Sequence, residues 1–308
     1  MDNRSEVREF LTTRRARLTP RHVGLPAGTD RRVPGLRRSE VAILADLSIE
    51  YYTRLERGNL AGASDQVLDA LARALRLDDA ERSHLFDLAR AAGNAPSPRP
   101  RRRSSRAWTV RPGLQMALDA VTTGPAFVRN GRMDILAANR LGYAFYADVF
   151  ATAERPGNLA RFAFLDLERS QRFYPDWEPA ADVCVAILRT EAGRDPHDRG
   201  LHDLIGELST RSAEFRTRWA AHNVRHHGTG SKDFHHDVVG ALTLSYEGME
   251  LTAEPGLSFL IYTAEPGSES EERLRLLASW AAAQDLPGHP ALPPERGGVS
   301  GAGARRDH

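Results

Sequence analysis

The stretch Arg38-Ser39-Glu40-Val41-Ala42-Ile43-Leu44-Ala45-Asp46-Leu47-Ser48-Ile49-Glu50-Tyr51-Tyr52-Thr53-Arg54-Leu55-Glu56-Arg57-Gly58 holds two short helical patterns on either side of a turn at Asp46-Leu47-Ser48. Ala42 is small where two helices must approach closely, and Val41, Ala45, Tyr52 and Leu55 recur at near-helical spacing and can fill the space between them. Ser48 is placed to cap the second helix, since its side-chain oxygen can accept a backbone N–H left over at a helix start. The pattern is that of a helix-turn-helix. After the Ser48 cap, Ile49, Glu50, Tyr51, Thr53 and Arg54 lie off the core-facing stripe, where side chains reach base edges in the major groove of DNA. Arg37, Arg38 and Ser39 at one end and Arg57-Gly58-Asn59 at the other would fix the module on phosphates. A plain helical hairpin within some other bundle has the same spacing, so the surrounding sequence has to decide.

Around this stretch the first 93 residues read as several short helices. Val7, Phe10, Leu11 and Leu18 precede it, while Val67, Leu68, Leu71 and Leu75, then Leu85, Leu88 and Ala89, follow it at helical intervals. Asp78 and Asp79 can start the last of these helices and Gly93 ends it. Between Asn94 and Arg106 the chain is almost all Pro, Ser and Arg, the composition of a linker. Its five arginines, Arg99, Arg101, Arg102, Arg103 and Arg106, suit either a solvated tether or added phosphate contacts. Up to Arg111 the chain carries 22 Arg against 14 Asp and Glu, a net +8, and the remainder a net −7. A basic module beside an acidic one suits a polyanion partner for the first alone. The expected division is 1–93 as the DNA-binding unit, 94–111 as linker, 112–285 as a second domain and 286–308 as a disordered Gly, Pro and Arg tail.

The 308 residues are 41% hydrophobic and 27% charged, an ordinary globular balance that suggests two folded units. No apolar run approaches the roughly 20 residues of a membrane span. The N-terminus lacks the hydrophobic stretch of a signal peptide, and a single cysteine, Cys184, makes no internal disulfide, so a cytoplasmic location without membrane association is expected.

In the second unit Pro125 to Val128 and Met133 to Ala137 read as paired strands around an Asn130-Gly131 turn. Leu141 to Phe145, Trp177 to Arg189 and Leu201 to His222 have helical periodicity, Ala241 to Tyr246 and Leu257 to Thr263 return to strand character, and a last helix covers Glu271 to Ala283. This is an α+β order, not a run of βαβ units. His226, His227, His235 and His236, with Asp233 and Asp237, invite a metal reading, but their spacing matches no strong zinc pattern, and a polar His-rich loop is the expectation. No metal and no resident cofactor are expected. Gly-x-Ser-x-Gly and Walker patterns are absent, and no catalytic residue is assigned.

The segments Arg32 to Arg38, Tyr51 to Gly58 and Val67-Leu68-Asp69-Ala70-Leu71-Ala72 resemble the Xre family, the Cro and phage-repressor type of all-α helix-turn-helix. More narrowly, the chain resembles the MmyB-like branch, which joins such a module to a C-terminal ligand-binding domain. Pro125-Ala126, Asp134 to Asn139, Gly206-Glu207-Leu208-Ser209, Phe215 to His222 and Tyr262 to Ser268 carry that likeness in the family's order. Three positions depart from it: Asp46 stands where the turn usually has Gly, Asn223 where Asp is expected and Asp237 where Pro is expected. What the resemblance implies is an α+β, PAS-like domain with a lipophilic pocket for a fatty acid effector, in a transcription regulator rather than an enzyme.

For such a pocket Phe162, Phe164, Leu165, Leu141, Tyr143, Phe145, Trp177 and Trp219 supply candidate walls, although the same aromatics suit plain core packing. Arg216 or Arg218 could pair with a carboxylate, and His222 or Asn139 could add a polar contact. The implied partners are a double-stranded DNA operator, a medium or long-chain fatty acid or similar lipophilic molecule, and a second copy of the chain in a homodimer spanning two half-sites. The alternative is a DNA-tethered enzyme acting on a lipophilic acyl substrate.

Overall fold

Among the described residues five α-helices and a 3-10 turn (Pro20–Val23) build the N-terminal unit: α1 (Asn3–Arg17), α2 (Arg38–Leu44), α3 (Ile49–Glu56), α4 (Asp65–Ala74) and α5 (Asp79–Ala92). The computed structural model describes residues 3–26, 35–93, 110–151, 156–221 and 228–283. Each start signal in the second half of this unit is used. Tyr51 N–H donates to Ser48 Oγ (3.1 Å), Val67 N–H to Ser64 Oγ (3.4 Å), and Asp78 and Glu81 exchange backbone-to-carboxylate bonds of 2.8 and 3.2 Å in a capping box. Val7, Phe10, Leu11, Val41, Ala42, Tyr52, Leu55, Leu68, Leu71, Leu85 and Leu88 form one core. Asp46 has φ +56°, the left-handed backbone that ends α2, and Leu47 N–H bonds back to Ala42 O at 2.9 Å.

The second unit is α+β, as the element order anticipates. Its helices are α6 (Pro112–Asp119), α7 (Arg140–Phe145), α8 (Ala147–Phe150), α9 (Leu159–Leu165), α10 (Leu167–Phe173), α11 (Trp177–Arg194), α12 (Arg199–Arg211), α13 (Ala213–Ala220) and α14 (Glu269–Ala282). Strands β1 (Ala126–Asn130), β2 (Ile135–Ala138), β3 (Thr229–His236), β4 (Gly240–Glu250) and β5 (Leu257–Thr263) form an antiparallel sheet in the order β2-β1-β5-β4-β3. One face buries Ala126, Val128, Ala137 and Phe259 against Leu114 and Leu118 of α6. The other presents Phe127, Phe234, Leu242, Leu244, Leu260 and Tyr262 to the main helical layer.

Three local expectations shift. The β1–β2 connection is longer than a two-residue Asn-Gly turn: β1 runs through Asn130, whose side chain bonds Asp134 N–H (3.0 Å) and Asp134 Oδ2 (2.8 Å), and Met133, not Gly131, takes positive φ. The helix expected over Leu201 to His222 is broken at Ser212, whose extended backbone and Oγ cap α13 (3.1 Å from Phe215 N). The stretch with Asp233, His235 and His236, expected as a loop, is strand β3, with Phe234 and His236 buried and His235 exposed. Among the described residues no group of three or more His, Cys, Asp and Glu is placed to hold a metal, and no helix is long and apolar enough to cross a membrane.

Candidate functional site

The helix-turn-helix presents a mixed polar and apolar face. Ser48, Ile49, Glu50, Arg54, Arg57, Arg37 and Arg38 are exposed, and Ser39, Tyr51 and Thr53 are partly so, while Tyr52 and Leu55 on the same helix point inward. The Arg54 guanidinium lies 4.8 Å from the centre of the Tyr51 ring, so these two side chains occupy one patch. Ile43, 70% exposed on α2, adds an apolar group outside the expected contact residues.

Arg38 has a second duty. The carboxylate of Glu56, 1% exposed, is ion-paired with both Arg38 and Arg15 (2.5 Å to Arg15 Nε) and accepts from Tyr52 OH at 3.3 Å. Burial beside that carboxylate pushes the Tyr52 hydroxyl pKa far up, so it stays a donor. Gly58, with φ +98°, ends the helix where a Cβ would fall 2.5 Å from Arg4 O, which brings the end of α3 onto α1.

The second feature is a cavity of about 30 Å³ in the core of the C-terminal unit. Apolar walls come from Phe127 and Leu260 on the sheet, Met133 and Leu159, and Ala180, Val183, Cys184 and Ile187 along α11. Into this space the sheet places Arg129 and Lys232, accompanied by Tyr146, Tyr174 and Tyr262. Alternation puts Arg129 on the same face as Phe127, and the β1–β2 register shifts between Val128 and Arg129. Lys232 shares the inward alternation of Phe234 on β3.

Arg129 is 6% exposed, and its hydrogen bond is to Asn130 O at 3.4 Å; no carboxylate among the described residues is ion-paired with it. Burial lowers its pKa, and burial likewise pushes Lys232 down to about 8, Cys184 up to about 11 and Tyr262 up to about 12. Tyr146 and Tyr262 share a 3.1 Å hydrogen bond, and burial holds both phenols protonated near neutral pH. A buried cation flanked by phenolic donors in an apolar space is suited to an anionic group attached to an apolar body.

The residues expected to wall a ligand pocket have other surroundings. Phe164, Trp177 and Trp219 pack around Phe215 or one another, and Trp177 Nε1 donates to Ala163 O at 3.1 Å. Tyr143 packs on Phe150. Asn139 is consumed structurally: its side chain accepts from Ala126 N and Gly142 N and donates to Val121 O and Gly124 O. Arg216 is exposed and bonds Ser209 O, and Arg218 sits between Asp182 and Glu214 over the Trp177 ring. None of these lines the cavity. His222, His226, His227, the linker arginines and the C-terminal tail lie outside the described residues.

Fold and sites together define a helix-turn-helix unit joined to an α+β unit with an internal cavity. Residues 6–85 match the family model of a helix-turn-helix domain, and residues 110–277 match that of the MmyB-like transcription regulator ligand binding domain. The chain belongs to the MmyB-like transcription regulators: it is a DNA-binding regulator with a ligand-sensing domain. A search of curated proteins finds no match.

Proposed function

We propose that the protein is an Xre-type regulator that binds its operator as a homodimer and responds to a carboxylic acid with a lipophilic body, a medium or long-chain fatty acid. The observation that carries the ligand class is Arg129, a cation without a carboxylate partner among the described residues, facing a cavity with apolar walls and three tyrosines. Burying a charge without a counterion is costly, and a bound carboxylate offsets that cost with charge-assisted hydrogen bonds. Arg129, with Lys232, takes the role that the sequence suggested for Arg216 or Arg218. A space of 30 Å³ is far below the roughly 150 Å³ that admits benzene, so the alkyl chain enters by parting the walls.

On the DNA side, Ile49, Glu50, Tyr51, Thr53 and Arg54, following Ser48, read base edges, while Arg37, Arg38, Ser39 and Arg57 contact phosphates. Two copies then read half-sites about one helical turn apart. The test is a titration of delipidated protein with saturated acids of increasing chain length, paired with the matching alcohols. Saturable binding of acids, and loss of affinity in the alcohols, is expected; equal affinity for acid and alcohol removes the carboxylate from the reading. Release of a chemically altered acyl product would favour the enzyme alternative.

A further inference from the structure

Helix α11 stands between the cavity and the DNA-binding unit. Ala180, Val183, Cys184 and Ile187 form one helical stripe along the cavity. Arg189, two residues beyond Ile187 and so on the opposite side, belongs to a different contact. Its side chain is fully buried, ion-paired with Glu6 of α1, bonded to Trp219 O of α13, and stacked 4.0 Å from the centre of a Trp219 ring. One turn further on, Gly193 lets α5 approach, since a Cβ there would fall 2.6 Å from the His84 ring. His84 is itself fully buried, with Nε2 3.9 Å from Glu6 Oε1. The helix that walls the cavity thus grips both α1 and α5.

This seam holds polar atoms that its own bonds leave over. Glu6 Oε2, Arg189 Nε and Trp219 Nε1 are buried without a hydrogen-bond partner among the described residues. Such groups regain hydration when the units part, so the docked arrangement is held by a contact whose desolvation cost opposes its attraction. That is the energetic form of a two-state element, and a packed helix passes displacement on one side to the other because interiors have little slack.

We propose that the Glu6–Arg189–Trp219 cluster is the latch through which occupation of the C-terminal cavity is transmitted to the helix-turn-helix unit. The proposal rests on the cavity being the ligand site. A ligand that shifts α11 changes how Arg189 meets Glu6, and so biases docked against undocked units; the effect on DNA is as large as the ligand's preference between those two arrangements.

The test uses the full chain, Arg189→Met, and the milder Glu6→Gln in case the first does not fold. Without ligand, hydrogen exchange in α1 and α5 should rise at least about tenfold in the variants as local opening becomes easier; unchanged exchange overturns the latch. Affinity for a duplex selected by the wild-type protein from random sequence is then measured with and without dodecanoate. The wild-type affinity should shift between about five-fold and a hundredfold, while the variants bind dodecanoate within about twofold of wild type yet shift by less than about twofold. A full shift in the variants, or dodecanoate binding with no shift in wild type, overturns the proposal. If wild type binds no dodecanoate, the ligand reading fails by itself. The latch is then decided by filling the cavity from α11 with Cys184→Phe, or Ala180→Val if that does not fold. Exchange in α1 should change when Arg189 is present and not when it is Met; an equal change in both backgrounds, or none in either, overturns it.

Discussion

Two buried carboxylates in this molecule do opposite things. Glu56 lies within the helix-turn-helix unit, and its oxygens meet Arg15, Arg38 and Tyr52, all supplied by the same small core. Glu6 lies at the seam, and its arginine comes from 183 residues away in the other unit, with one of its own oxygens unpaired among the described residues. Both are almost fully buried, so burial alone does not tell a structural ion pair from a movable one. What separates them is whether every polar atom is satisfied and whether the partners belong to one core.

The largest expected effect follows from removing the better-satisfied carboxylate. Glu56→Ala leaves Arg15, 13% exposed, without its carboxylate and with its bond to Leu36 O (2.8 Å), while Arg38, half exposed, returns to water. A loss of about 3 kcal/mol is expected, the low end for a broken buried pair. Urea unfolding of the variant measures it, and a loss under about 0.5 kcal/mol would remove Glu56 from the structural role. Next in size, Arg129→Met should weaken carboxylate binding about a hundredfold, close to 2.7 kcal/mol, yet leave the thermal midpoint unchanged or higher, because the buried cation has no carboxylate partner among the described residues to lose. Lower stability together with unchanged affinity would place Arg129 in the scaffold.

At the seam the comparison becomes a cycle. Glu6→Ala alone leaves Arg189 buried without its anion and should cost about 2 kcal/mol, whereas adding Arg189→Met should bring the total below about 1 kcal/mol. Costs that simply add would show that the pair is not a coupled unit.

The same contrast explains what the sequence could tell. The helix-turn-helix is local: Ser48, Tyr52 and Leu55 lie within one turn and one helix, so cap and periodicity sufficed to read it. Arg129 falls one residue past the strand expected at Pro125 to Val128, and the register shift at Val128/Arg129 has no mark in the residue pattern. Lys232 lies in a stretch whose histidines read as a polar loop, although alternation with Phe234 and His236 and its standing as the only lysine are signals in the sequence. Arg189 is the last residue of the helix expected from Trp177, and nothing local points to Glu6. Aromatic content points to Trp177 and Trp219, whose rings pack in a cluster with Phe164 and Phe215 beside the cavity rather than along it.

A smaller effect is set by Lys232. Burial brings its pKa down to about 8, and a carboxylate beside it favours the charged form, so binding takes up a proton above that pH. Carboxylate affinity is therefore full below about pH 8 and should fall about tenfold by pH 9.5. The unliganded protein gains stability over the same range, because the unfolded lysine still holds the proton that the folded one has lost. Lys232→Met should flatten both pH profiles; profiles that keep their slopes would assign the titration to another group.

The smallest effect concerns the turn on which the recognition face depends. Asp46 holds φ +56°, a backbone region that costs most side chains about 1 to 2 kcal/mol and Asp less. Asp46→Gly relieves that strain but gives the unfolded chain more freedom, and the two terms partly cancel. A net gain of about 0.5 kcal/mol is expected in urea unfolding. DNA affinity should stay within about twofold, since Asp46 precedes the Ser48 cap and that cap, with its 3.1 Å bond to Tyr51 N, is retained. A stabilised variant with weakened DNA binding would mean that the Asp46 side chain, exposed beside α3, belongs to the DNA-contacting surface. A destabilised one would mean that its carboxylate supports the turn by more than the backbone strain it imposes.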